Sequence, residues 1–206
     1  MIACLDLEGV LVPEVWVKFA EKTGIEELKL TTRDIPVYDD LMAGRLEILK
    51  KHNLKLDDIQ NVIRDIEPLP GAKDFLDWLK TEFQVVILSD TFYQFAGPLM
   101  AQLNYPTLFC HELIIDDQGA VSGYQLRIED GKTKAVAAFQ SLNFQVIAAG
   151  DSYNDTGMLG QAEAGILFCP PDNVIAEFPQ YPVTRNYEEF TKTFKDKKRE
   201  VLAMKR

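Results

Sequence analysis

The sequence predicts an α/β fold: a doubly wound, mainly parallel sheet with a small all-helical insert and a β-hairpin extension. Three observations carry that expectation. Apolar strand-like runs (IACL, VVILS, VIAAG and AGILF) alternate with stretches of helical pattern, as βαβ units do. The segment from Glu14 to Ile66 is helical throughout, whereas a crossover between parallel strands needs only one helix. Residues 107–127, TLFCHELIIDDQGAVSGYQLR, read as two strands turning at DDQG. With 206 residues the chain can bury one sizeable core, or a core with a modest insert.

The first run, IACL, has the composition of a buried strand and is followed by two carboxylates, Asp6 and Glu8. Burying a charge is costly unless something compensates it. In the insert, EVWVKFAEKTG ends in a glycine suited to a helix C-cap. Ile59, Val62, Ile63 and Ile66 fall on one face of a later helix. EPLPG closes the segment, which places the core at residues 1–13 and 68–206 and the insert at 14–67. A run of ordinary crossover helices is the alternative.

Phe75, Trp78 and Leu79 then mark a helix packed on the sheet, and FQVVILSD is the next strand, ending in Ser89 and Asp90. Pro98 should kink the following helix or start it afresh. The hairpin is either a flap over the site or an edge extension, and we favour the extension. The strand VIAAG ends in Asp151, with Asn154 and Asp155 about one helical turn on. The basic tail KDKKREVLAMKR reads as a solvated helix end.

Composition excludes several function classes. A net charge of −10 argues against a nucleic-acid or anionic-membrane surface, which would need a basic face. A small phosphate ligand needs only local positive charge and remains open. Cys4, Cys110 and Cys169 lack metal-ligand spacing and read as free thiols in a reducing compartment. Two histidines, His52 and His111, offer little material for a histidine zinc site or a Ser-His-Asp triad. No apolar run reaches 18 residues, and the N-terminus lacks the basic start of a signal peptide, so a cytoplasmic protein is expected.

Ligands of open α/β sheets bind outside the carboxyl ends of the strands. Three separate runs therefore deliver Asp6, Glu8, Ser89 and Asp151 to one crevice. Any one of these alone would be an N-cap or turn residue; all of them on core strands need a common reason. Carboxylates that meet repel each other, and a divalent cation resolves the conflict. Oxygen-only ligation favours Mg²⁺. The metal also lowers the charge barrier between a carboxylate and a phosphate dianion, so a carboxylate can serve as nucleophile and form an aspartyl-phosphate.

DLEGV, LSDT and GDSYND, with a lysine between the last two, resemble the ordered motifs of haloacid dehalogenase-like phosphatases. The helical insert with Glu14 and Arg45 resembles that of phosphoserine phosphatases, above all the bifunctional ones that also act as phosphoserine–homoserine phosphotransferases. The resemblance spans essentially the whole chain and implies a Rossmann-like core. It also implies roles. Asp6 is the nucleophile and an Mg²⁺ ligand. Glu8 is the general acid/base, and its backbone carbonyl also contacts the metal. Ser89 and backbone donors around Asp90 bind the phosphoryl group. Asp151 completes the metal ligands, Asn154 contacts substrate, and Asp155 supports the metal site from behind.

The lysine is Lys132 or Lys134, both in DGKTK. We favour Lys132, just before the helix, where it can stabilise phosphoryl charge. GKT also mimics the end of a P-loop, but the glycine required five residues before Gly131 is Leu126, so ATP binding is not supported. Asn154 matches a glycosylation sequon, which at a cytosolic site residue is chance.

Glu14 would face the substrate's ammonium, and Arg45 would grip its carboxylate in bidentate fashion. Most of the family has Asp where this chain has Glu8. The longer side chain would place water less well and leave room for an alcohol acceptor such as homoserine. Three other readings stand beside this one. They are a phosphatase for another small phosphomonoester, a phosphorylatable signalling module and a catalytically dead phosphometabolite-binding protein. The intact set Asp6, Glu8, Ser89, Lys132 and Asp151 argues against the last, and the insert has no use in the second.

Overall fold

A computed structural model describes residues 1–204 except 32, 33 and 36. Among the described residues there are seven strands in one sheet, ordered β4-β3-β2-β1-β5-β6-β7. The strands are β1 (Ile2–Leu5), β2 (Gln84–Phe92), β3 (Thr107–Ile115), β4 (Val121–Gln125), β5 (Val146–Gly150), β6 (Ala164–Phe168) and β7 (Val183–Thr184). Pairing is parallel except between β3 and β4. Sequence patterning did not anticipate β7, which has only two residues.

β1 lies in the middle, with Ala3 opposite Val85 on one side and Ile147 on the other. Its alternating residues feed two cores. Ala3 and Leu5 pack on the face covered by α4 (Ala72–Glu82) and α9 (Tyr187–Ala203). Ile2 and Cys4 pack on the opposite face with α6 (Gly131–Ser141), α7 (Thr156–Gln161) and α8 (Asp172–Glu177). A strand buried on both faces explains why its sequence is continuously apolar. β1 is also where the sheet changes direction, which puts the crevice at its carboxyl end.

The helices α1 (Val15–Thr23), α2 (Tyr38–Lys51) and α3 (Leu56–Arg64) separate β1 from α4, with a 3₁₀ turn at Glu26–Lys29. Gly24 ends α1 in the left-handed conformation at φ +72°, donating its N–H to the Ala20 carbonyl. Ile59, Ile63 and Ile66 are buried and Val62 packs beside them. No described helix is long and apolar enough to cross a membrane.

Three expectations need correction. β2 does not end at Asp90 but runs to Phe92, with its register to β3 shifted between Leu88 and Phe92. In that interruption the Thr91 N–H donates to Ser89 Oγ at 3.2 Å, so Ser89 and Asp90 are turned out of the ladder rather than beyond it. α5 (Tyr93–Gln102) continues through Pro98 as one helix. Pro98 cannot donate to the Gln94 carbonyl, and Gln60 Nε2 of α3 does so instead at 2.6 Å. The tail is not simply solvated: α9 buries Val201 along with Phe190 and Phe194.

β4 extends the edge of the sheet, and the hairpin also reaches the inserted helices. The Leu56 N–H donates to the Gly119 carbonyl at 2.9 Å, and Tyr124 Oη donates to Asp39.

Candidate active site

Asp6 follows β1 and its N–H continues the ladder to the Ala149 carbonyl of β5 at 2.9 Å. The residue is 5% exposed, and Oδ1 accepts the Leu7 N–H at 2.8 Å. Lys132 Nζ lies 3.0 Å from the same oxygen, 2.8 Å from Asp155 Oδ1 and 3.6 Å from Asp90 Oδ2. Lys132 is the second residue of α6 and is buried, whereas Lys134 is exposed. Burial opposes the Lys132 charge, but Asp155, Asp6 and Asp90 together hold its pKa well above the ordinary value. Burial first, then Asp155, pushes the Asp6 carboxyl upward against the pull of Lys132.

Asp151 and Asp155 come from the turn after β5. Asp155 Oδ2 accepts the N–H groups of Asp151 at 2.9 Å and Ser152 at 3.1 Å, closing a capping box with Ser152. Asp155 is fully buried, and burial together with Asp155 pushes Asp151 up to about 7. Gly150, the last residue of β5, has no room for a side chain, because a Cβ there would strike the Asp155 carboxyl. Asp155 thus has both oxygens engaged, by a cation and by two backbone donors.

Glu8 is half-buried and faces a different neighbourhood. Its Oε2 accepts the Val15 N–H at the start of α1 at 2.8 Å. Burial, then Glu14, pushes its carboxyl up to about 7, against Val15, Arg45 and Thr91. Glu14 is exposed, one residue ahead of α1. Arg45 on α2 is buried, with its guanidinium carbon 4.5 Å from the centre of the Trp16 ring. One terminal nitrogen of Arg45 donates to the Leu30 carbonyl at 2.9 Å, and among the described residues its buried Nε has no partner. The other terminal nitrogen, Nη1, lies 3.8 Å from Met42 Sδ.

Ser89 is buried, while the Asp90 side chain is 42% exposed. Asn154 Nδ2 donates to Asp90 Oδ2 at 2.8 Å, and His111 Nε2 lies 3.5 Å from Oδ1. Burial would raise the Asp90 carboxyl, but Lys132, His111 and Asn154 hold it well below the usual carboxylate range. Two cavities adjoin this cluster, of about 240 and 360 Å³. Lys132, Asp90 and His111 line both, Ser89 lines the first, and Tyr38 and Asn154 line the second. Neither is lined by Asp6, Asp151 or Arg45.

The sequence matches the family model for haloacid dehalogenase-like hydrolases over residues 1–163. The chain belongs to the haloacid dehalogenase-like hydrolases. This hydrolase is 64% identical over 193 residues to the phosphoserine phosphatase ThrH of Pseudomonas aeruginosa, covering 94% of each chain. It is equally similar to a phosphoserine phosphatase of Pseudomonas syringae pv. tomato, at 64% over 94% of this chain and 81% of that one. A crystal structure of an apo phosphoserine phosphatase matches its fold with a TM-score of 0.75 at 22% identity, over 93% of this chain and 97% of that one.

The acids of this hydrolase suit a hard cation. Asp6, Asp151 and Asp155 each offer an oxygen, all within 4.8 Å of one another, and no thiol or imidazole belongs to the group. Gly9 keeps the space open, since a Cβ at its φ of +76° would lie 2.5 Å from Asp151 Oδ2. We predict that Gly9→Ala, strained in backbone and clashing with Asp151, weakens Mg²⁺ binding roughly 10- to 100-fold. Calorimetric titration of the metal checks this, and unchanged affinity would refute it.

His111, one of the two histidines that offered little material for a zinc site or triad, lies beside this cluster. The pairing of β3 with β2 brings His111 to Asp90.

Proposed function

We propose that this chain is an Mg²⁺-dependent phosphatase of O-phosphoserine that works through a phosphoryl ester on Asp6, and that it also passes the phosphoryl group to homoserine. The observation that carries the reading is the placement of Asp6. A buried carboxylate has one oxygen fixed by a lysine and a backbone N–H, which leaves Oδ2 to attack. Kinship at 64% identity with proteins named phosphoserine phosphatases supports the substrate.

Asp6 Oδ2 forms a bond to phosphorus while the bond from phosphorus to the serine oxygen breaks. Glu8 gives its proton to the departing oxygen. In the second step Glu8 takes a proton from water, whose oxygen bonds to phosphorus as the Asp6–phosphorus ester bond breaks. Phosphate leaves and Asp6 regains its charge. Lys132 and Ser89 hold the phosphoryl oxygens throughout. Asp6, Asp151 and the Glu8 carbonyl, backed by Asp155, would hold Mg²⁺, which would offset the negative charge that carboxylates and phosphate bring together.

Transfer to homoserine has its own support. Val15 ties the Glu8 carboxylate to the start of α1, and Glu14 and Arg45 are the charged groups that act on it. A base held there meets an amino acid's hydroxyl as readily as water. One assay tests both parts: phosphoserine with Mg²⁺, with and without homoserine, reading inorganic phosphate and phosphohomoserine. The reading expects phosphate release that chelation abolishes and a shift of product to phosphohomoserine. Preference for a phosphorylated sugar would overturn the substrate, an unchanged product ratio the transfer, and a long-lived phosphoprotein the enzyme.

Arg45→Ala should raise KM for phosphoserine roughly 10- to 100-fold, the worth of one charged hydrogen bond, with kcat nearly unchanged. Steady-state kinetics on phosphoserine and on a phosphomonoester lacking a carboxylate separate this from a general loss. Equal effects on the two substrates would remove Arg45 from substrate recognition.

A further inference from the structure

We infer that His111 is a positioning residue: its ring holds Asp90, and Asp90 holds Lys132 and Asn154 toward the phosphoryl site. This rests on the phosphomonoester chemistry proposed above.

The contacts form a closed circuit. His111 is 7% exposed, and its Nδ1 accepts the Arg127 N–H at 3.2 Å. A ring that accepts at Nδ1 carries its proton on Nε2, and Nε2 is the atom 3.5 Å from Asp90 Oδ1. The other oxygen of Asp90 meets Asn154 at 2.8 Å and Lys132 at 3.6 Å. From Lys132 the chain runs back to Arg127, which is itself fixed by donation of Nε to the Cys110 carbonyl at 3.1 Å and by the Tyr93 ring. The same imidazole therefore anchors the segment that delivers Lys132 and the carboxylate that the lysine faces.

The circuit matters because Lys132 is pulled two ways. Asp6 and Asp155 draw it toward the ends of β1 and β5, at 3.0 and 2.8 Å. Asp90, on β2 beside Ser89, draws it toward the phosphoryl side at the longer distance of 3.6 Å. The Asp90 side chain is 42% exposed and borders both cavities. Without a partner on its far oxygen it would turn to water, and Lys132 would settle on the acids.

Two substitutions separate the two nitrogens. His111→Asn keeps an acceptor near Nδ1 for Arg127 but falls short of Asp90, whereas His111→Gln reaches Asp90 with its amide. For H111N we expect kcat to fall roughly 10- to 100-fold with KM nearly unchanged, and for H111Q we expect most of that loss to be restored. In a double-mutant cycle, H111N adds nothing once Asp90→Asn is present. A purely structural role predicts lowered Tm in both variants with equal kcat per folded enzyme. That result, kcat of H111N within threefold of the parent, or additive effects with D90N would each overturn the inference. Kinetics on p-nitrophenyl phosphate run alongside phosphoserine. If the parent enzyme turns over only the former, the substrate assignment fails while the His111 comparison still stands or falls on its own.

Discussion

Replacing Asp6 with Asn is expected to lower phosphoserine turnover by about 10⁴-fold or more, the scale on which loss of a nucleophile acts. Asn keeps the shape and can still accept the Leu7 N–H, so little else at the site should change. The amide cannot form the phosphoryl ester, and it contributes no charge to a bound cation. Stability should move the other way. Asp6 sits buried with Asp155, Asp151 and Asp90 as like-charged neighbours, while Lys132 favours its ionised form. Removing that charge relieves crowding in the metal-free protein, so its Tm should rise, and the further rise on adding Mg²⁺ should shrink. Turnover measured beside thermal melts with and without Mg²⁺ checks both signs. Retained activity in Asp6→Asn would exclude the phosphoryl-ester mechanism.

Lys132→Met should be damaging in both respects. The lysine faces Asp6 at 3.0 Å and Asp155 at 2.8 Å, and both carboxylates are buried. Removing one partner of a buried ionic cluster leaves uncompensated charge, a loss of about 3–5 kcal/mol. Catalysis should fall about 10²- to 10³-fold, the usual range for one charge-stabilising donor. Mg²⁺ should restore part of the stability, because a cation among the acids takes over the neutralising task, but it should not restore the rate. Chemical denaturation with and without Mg²⁺, with kinetics on the folded protein, distinguishes the two. A K132M protein as stable as its parent would mean the carboxylates are already protonated or solvated.

Much of this was legible in the chain because the signals are local. The continuous run IACL followed by DLE announces a central strand with acids at its end, and Gly24 announces the end of a helix. Lys132 was separable from Lys134 by its place at the start of α6. The rest depends on pairing between distant segments. Nothing in VVILSDTF reports that the ladder to β3 is interrupted between Leu88 and Phe92. His111 becomes part of the site only through that same register. The Gln60 bond to the Gln94 carbonyl, which lets α5 pass through Pro98, joins residues 34 positions apart. Val201 was hidden among charged neighbours, and only the packing of α9 reveals that one face is apolar.

On the proposed reading, the nucleophile is enclosed. Asp6 is 5% exposed, so the surroundings must yield before an ester can reach it. The polar ties between the insert and the rest include Tyr38 to the Asp90 carbonyl, Gln60 to the Gln94 carbonyl, Gln102 to the Ile66 carbonyl, and Tyr124 to Asp39. Exchanging each for water costs about 0.5–1.5 kcal/mol, which makes entry a matter of breathing rather than unfolding. The Leu56–Gly119 backbone bond carries the hairpin along with α3. On the proposed reading, entry thus enlists the rim of the sheet, and a change at the DDQG turn, distant in sequence from Asp6, should be felt in how fast ester arrives.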